Sequence, residues 1–279
     1  CHHHSMIYCQ LYFTIFCRWG ASNYLISSLS DDNMSDLVDT MGTEMQTVSL
    51  SFYRFATPLS RMWALTMMGV ARLSLPRIDG LQFWKLCGSG TGEGFTPIPN
   101  TSVYAILTVW SDLDRAKQAV TQESIFHRYR AKASEHWTLF LTPYSARGAW
   151  SGQSPFIEES PAQTGPIAAL TRATVRPVVA AQFWKHVPDI SGVIGRDQNV
   201  LFKIGIGEVP LFQQITFSIW PDSQSMAAFA RNNGPHAEAI RAVRDGNWFR
   251  EELYARFRVA DEIGSWEGQS PRILKDIAA

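Results

Sequence analysis

One octapeptide occurs twice in this chain. Gly148, Trp150, Gly152, Gln153, Ser154 and Pro155 recur as Gly264, Trp266, Gly268, Gln269, Ser270 and Pro271, matching at six of eight positions in the same order. A repeat constrains the fold more than composition does, because each copy must adopt the same supersecondary unit. Other marks recur upstream in the same order. The run from Tyr104 to Trp110 and Asp112 parallels that from Gln214 to Trp220 and Asp222, each an apolar β-type stretch closed by Trp and then Asp. Before these lie Phe83-Trp84-Lys85-Leu86 and Leu201-Phe202-Lys203-Ile204. Earlier still come amphipathic stretches opened by proline, Pro58 to Leu73 and Pro177 to Val187, which suits proline's place in a helix first turn.

Both halves therefore read strand, helix, strand, strand, helix, strand, the order of a ferredoxin-like α+β unit with two helices on one face of a four-stranded sheet. The other sheet face is left uncovered. Two units placed face to face bury those faces, so the expected fold is a dimeric α/β-barrel built within one chain from tandem ferredoxin-like repeats. The units are placed at 45–156 and 166–271, with Ile157 to Gly165 as linker.

Of 279 residues, 46% are hydrophobic, enough for one large core or two small ones. Lysine plus arginine equals aspartate plus glutamate at 25 each, so no net field steers the chain to nucleic acid, and an uncharged partner is expected. Cys1, Cys9 and Cys17 fall near the start, leaving Cys87 alone in the body, which fits a reducing cytoplasm. The opening Cys1-His2-His3-His4-Ser5-Met6 reads as a tag remnant, so its histidines are set aside as ligands. The apolar stretch from Ile7 to Phe16 is far short of the roughly twenty residues of a spanning helix. Residues 1–44 read as a tail or upstream extension, with Met41 or Met45 as the working start.

The body holds four histidines, His127, His136, His186 and His236, too scattered for the clustered boxes of a di-iron centre. One cysteine cannot hold an iron–sulfur cluster. The glycines of Gly88-Ser89-Gly90-Thr91-Gly92-Glu93-Gly94 lack the helix that would receive a phosphate, and Phe95-Thr96-Pro97 follows instead. They read as a strand-connecting loop, with Gly205-Ile206-Gly207 as the shorter counterpart. For oxygen chemistry, the economical metal site is a haem held by one imidazole. His236 lies sixteen residues after Trp220 and His127 seventeen after Trp110, making them equivalent candidates for haem binding. His236 is the first choice as metal ligand, because Gly234-Pro235 opens a helix whose positive end keeps the imidazole neutral. Arg54 and Arg172, at roughly matching places on the first strands, are candidates to meet a haem propionate or polarise bound oxygen, or else to pair with a strand-end carboxylate. The ten Trp and sixteen Phe supply core bulk and also suit a long apolar slot.

Several segments carry a resemblance: Phe83-Trp84-Lys85, the glycine run through Pro97, Pro166 to Thr174, Gly207-Glu208-Val209-Pro210, Phe217 to Asp222, and Asn247-Trp248-Phe249 with Glu252 to Phe257. Together, over about Met45 to Pro271, they resemble the spheroidene monooxygenase family of purple phototrophic bacteria. The resemblance implies a haem b oxygenase that hydroxylates carbon 2 of spheroidene twice, the geminal diol losing water to give a ketone. It also implies reduced ferredoxin as electron donor, in keeping with the lack of any flavin or iron–sulfur motif in the chain. A lipid-resident substrate is compatible with a peripheral contact at the photosynthetic membrane. Competing readings are a haem-binding or haem-degrading barrel, a cofactor-free barrel monooxygenase, and a lipid-binding module, among which fold alone does not choose.

Overall fold

In the computed structural model, residues 45–92, 96–159, 164–185, 199–231, 246 and 248–274 are described. The proposed tail 1–44, His186, His236 and the Gly234-Pro235 helix start lie outside them.

The first half runs β1 (Thr47–Arg54), α1 (Pro58–Ser74), β2 (Phe83–Gly90), β3 (Pro99–Trp110), α2 (Leu113–Gln122), α3 (Ser124–Lys132) and β4 (Glu135–Gly148). The second runs β5 (Ile167–Val175), a 3-10 turn at Pro177–Val179, β6 (Phe202–Val209), β7 (Gln213–Trp220), α4 (Ser223–Arg231) and β8 (Phe249–Gly264). All eight strands close one antiparallel barrel in the order β1-β3-β2-β6-β7-β5-β8-β4. The expected intrachain α/β-barrel is the fold observed.

Local chemistry explains the repeated marks. The Asp that follows each Trp is a helix N-cap: Asp112 accepts from Arg115 N at 2.7 Å and Asp222 from Ser225 N at 2.7 Å. Trp110 Nε1 donates to Thr108 Oγ1, and Trp220 Nε1 to the equivalent Ser218 Oγ, each at 3.0 Å, so both buried indoles are satisfied. Helix α1 opens with a capping box between Thr57 and Ser60 and Pro58 in its first turn. Its inner face is made of Ala64, Met67 and Ala71, the two alanines leaving room for the helix to approach the sheet closely.

Alternation along each strand sends one set of side chains into the barrel, where Val48, Leu50, Phe52, Ala105, Leu107, Leu139, Leu170 and Phe217 join one core cluster spanning both halves. The opposite face of the first-half sheet packs under the helices through Tyr53, Ile106 and Phe140.

The halves meet along two unequal seams. Strands β4 and β8 pair from Trp137↔Gly264 to Gly148↔Leu253, whereas β2 and β6 pair only at Gly88↔Gly207 and Ser89↔Ile206. The glycines read as a connecting loop are thus partly strand: Gly88 and Gly90 lie in β2 and Gly205 and Gly207 in β6, with the loop starting at Thr91. At Gly207 the need for glycine is steric: a Cβ there would stand 2.5 Å from Gln213 O, at the register shift between β6 and β7.

Candidate functional site

The two copies of the octapeptide are hairpin turns. Trp150 and Gln153 exchange backbone hydrogen bonds, as do Trp266 and Gln269, and the two residues between them have positive φ in both copies. That geometry is a type I′ turn, which explains the invariant second glycine of the motif. The first glycine has a different cause. A Cβ on Gly148 would lie 2.1 Å from Glu252 O, and one on Gly264 would lie 2.3 Å from His136 O.

Each hairpin is held by the other half of the chain. Glu251, on β8, accepts from the amides of Gly152 at 2.7 Å and Ser151 at 3.0 Å. Glu135, its equivalent on β4, accepts from Gly268 N at 2.9 Å. Partial burial works against ionisation of Glu251, but these amides and the Arg172 guanidinium outweigh it and hold the carboxyl below its ordinary value. Both hairpin tryptophans turn inward and are buried, Trp150 against Phe83 and Trp266 against Phe52.

Because β1 and β5 run in opposite directions around the barrel, their C-terminal ends lie at opposite barrel ends. At the β5 end, Arg172 is 1% exposed and ion-pairs Glu251. Its Nε makes no hydrogen bond and sits 4.0 Å from Glu208, which is bridged by Lys85 at 3.0 Å and takes the Trp150 indole N–H at 2.6 Å. Two cations and two carboxylates therefore close this end as a charge-balanced set. The neighbouring Cys87 thiol is fully buried and pushed well up, first by desolvation and then by Glu208, so it stays protonated.

The β1 end is open. A cleft of about 520 Å³ lies where the β2–β6 seam parts, with Val103, Phe202, Ile204 and Trp266 among its apolar walls and Arg54, Lys203, Glu267 and Arg272 among its charged ones. Phe202 leads inward to Phe52, Trp137 and Phe217 through ring contacts of 4.9 to 6.4 Å. Arg54 pairs with Glu135 at 3.5 Å and lies 4.5 Å above the Trp266 ring. Glu262 fixes the last described segment, accepting from Trp137 Nε1 at 2.7 Å and from the amides of Ile273 and Leu274 at 2.8 and 2.7 Å. That anchorage places the Arg272 guanidinium 5.4 Å from the Phe202 centroid and 2.9 Å from Glu267. Arg272 retains a buried Nε–H without a hydrogen-bond acceptor, whereas the Arg54 Nε already faces the Glu135 carboxylate.

The structure separates the residues singled out by sequence. Arg54 lines the open cleft, while Arg172 belongs to the closed end. They are not register equivalents: Thr47 pairs with Trp110 and Ile167 with Trp220, which aligns Arg172 with Phe52 and Arg54 with Thr174. His127 is exposed on α3, and the half-buried His136 on β4 has its pKa lowered by burial and then by Arg130. His236, the first-choice ligand, lies outside the described residues. Among those described, no group of His, Cys, Asp and Glu is arranged to hold a metal ion. Lys85, Glu208, Glu251, Lys203 and Arg272 were not singled out by sequence reasoning. One signal was available: Glu135 and Glu251 each precede the first glycine of the repeated motif by thirteen residues.

Known proteins place these observations in context. The chain is 52% identical over 229 residues to a spheroidene monooxygenase from Cereibacter sphaeroides, covering 81% of this chain and 71% of that protein. It is 49% identical over 234 residues to one from Rhodobacter capsulatus, covering 83% and 97%, and 32% identical over 212 residues to one from Rubrivivax gelatinosus, covering 76% and 82%. No family profile matches the chain. Among solved structures, an aldoxime dehydratase superposes with a TM-score of 0.54 at 10% identity over 80% of this chain and 85% of its own. A second aldoxime dehydratase, complexed with butyraldoxime, gives 0.52 at 11% identity over 80% and 83%. At such identities the likeness concerns the barrel fold alone.

Proposed function

The chain belongs to the spheroidene monooxygenase family, and from that membership we propose that it is a carotenoid monooxygenase placing a keto group at carbon 2 of spheroidene and related acyclic carotenoids. Two successive hydroxylations at one carbon give a geminal diol, which loses water to the ketone. Each hydroxylation puts one atom of O2 into a C–H bond and reduces the other to water, consuming two electrons and two protons. The electrons come from reduced ferredoxin. The chain carries no flavin or iron–sulfur motif to store them.

The observation that carries this reading is the open cleft. Within a largely polar mouth, its apolar wall of Val103, Phe202, Ile204 and Trp266 adjoins the buried rings of Phe52, Trp137 and Phe217 and offers an aromatic surface to the end of a polyene. Its two arginines, Arg272 with a buried Nε–H lacking an acceptor and Arg54 beside it in the lining, are cations suited to the carboxylates of a haem b. We assign them to the propionates and His236 to the iron, with His127 as the second candidate ligand. When bound, haem supplies the oxygen-activating chemistry. Arg172 keeps the opposite end shut, through Glu251 and the Trp150 hairpin.

The test is spectroscopic and chemical. Purified and reconstituted protein should show a haem Soret band that His236→Ala alters, and with O2 and reduced ferredoxin it should convert spheroidene to the 2-ketone. A haem-free product after reconstitution overturns the cofactor assignment. An unchanged spectrum in His236→Ala removes that ligand, and a loaded protein that never forms the ketone overturns the substrate.

A further inference from the structure

Helix α1 is apolar on both sides. Its inner face packs on the sheet, yet Leu59, Met62, Leu65 and Leu73 on the outer face are 78%, 68%, 64% and 65% exposed. At 100° per residue these four, with Thr66 and Gly69 between them, form one stripe about 120° wide that carries no charge. Scattered exposed apolar residues are ordinary, but a continuous stripe along a 17-residue helix is not.

The charges carried by the helix are of one sign. It holds Arg61 and Arg72 and no Asp or Glu, and Arg77 follows it, while the chain as a whole is neutral. Arg72 and Arg77 are exposed at the C-terminal end of the helix. Apolar side chains flanked by arginines match a bilayer surface with anionic headgroups. They match a second copy of the chain poorly, since a single helix face is far narrower than the roughly 20 residues per side of a stable interface.

Position links the stripe to the cleft. Arg54 ends β1 and lines the cleft, and α1 starts at Pro58, with Phe55 N bonded to the cleft residue Ser102 through its carbonyl at 2.8 Å. Leu59 and Met62 therefore lie at the open end of the barrel, and the helix runs back along its flank. We infer that the outer face of α1 is a membrane-docking surface that seats the barrel on anionic lipid with its cleft end beside the bilayer. This deepens the carotenoid reading, because a lipid-resident polyene then reaches the cleft without crossing bulk water. Among the described residues no helix is long and apolar enough to cross a membrane, so the contact is peripheral.

Vesicle co-sedimentation of the full chain tests it. The protein should pellet with phosphatidylcholine vesicles containing phosphatidylglycerol and bind pure phosphatidylcholine more weakly. Met62→Glu with Leu65→Glu should weaken binding at least about tenfold, with the thermal melt unchanged because both side chains are exposed. Failure of the unmodified chain to bind, or equal binding by the variant, overturns the inference. So does a change from dimer to monomer in the variant without any vesicle binding, which would make the stripe a self-association face. Turnover separates this from the carotenoid reading: the variant should convert spheroidene in detergent micelles like the parent but lose turnover of spheroidene embedded in vesicles. If neither protein acts on micellar spheroidene while vesicle binding persists, the substrate assignment fails and the docking surface stands.

Discussion

Arg172 occupies in the second half of the barrel the register position that Phe52 occupies in the first. Phe52 stacks with Trp137 at 5.8 Å inside the aromatic cluster, whereas Arg172 is sunk to 1% exposure beside Glu251 and Glu208. At this one register position the pseudo-symmetric barrel thus carries an aromatic ring in the first half and a buried guanidinium in the second.

Removing that guanidinium leaves Glu251 with only its two turn amides and Glu208 with only Lys85 and the Trp150 indole to offset its charge. Arg172→Ala is expected to lower stability by about 3–5 kcal/mol, the cost of breaking a buried ion pair from one side, read as a shift in the urea midpoint.

The four motif glycines should respond in two classes. Gly148→Ala and Gly264→Ala drive a Cβ into a carbonyl oxygen of the other half and should cost at least about 3 kcal/mol. Gly152→Ala and Gly268→Ala meet nothing within 4 Å and carry only the left-handed backbone penalty, about 1–2 kcal/mol. Equal costs in the two classes would contradict the crossed packing.

Acid should act through Glu251. Its folded-state pKa is depressed, so its contribution to stability is complete above the unfolded value of about 4.3 and is lost as pH falls through the lower folded value. Glu251→Gln should flatten the stability profile in that acidic window while leaving its slope near neutrality unchanged, measured by urea titrations across pH.

Cys87 should be inert. A fully buried thiol with a raised pKa presents almost no thiolate at neutral pH, so alkylation of the native protein should proceed only as fast as the barrel opens. Adding urea should accelerate the reaction in step with unfolding.

Cofactor retention should depend on Arg272. With its buried Nε–H turned to a propionate, Arg272→Ala should weaken haem affinity about tenfold in titrations followed at the Soret band. Arg272→Lys should recover only part of the loss, because an ammonium lacks the planar fork.

The barrel was legible in the sequence because duplication wrote its signals twice. Trp110 with Asp112 and Trp220 with Asp222 mark the same strand end and helix cap, and the repeated octapeptide marks the same turn. Register was less legible. Arg54 and Arg172 looked equivalent, but strand pairing separates them by two positions, a difference set by long-range hydrogen bonds. The crossed partnership of each hairpin with the opposite half depends on how the barrel closes, and only the matched spacing of Glu135 and Glu251 hints at it. The cleft was hidden for a similar reason: Arg54, Phe202 and the pair Trp266 and Arg272 come from three distant segments, brought together where a glycine-bearing seam fails to zip.

The exchange of hairpins also bears on cooperativity and inheritance. Cut from the chain, either half would lose the glutamate that anchors its own turn and would expose the tryptophan that the turn buries, so neither is a self-sufficient folding unit despite its complete set of strands. A single melting transition is the signature to expect. Although the sequence reads as two modules, natural selection acts on them as one indivisible object.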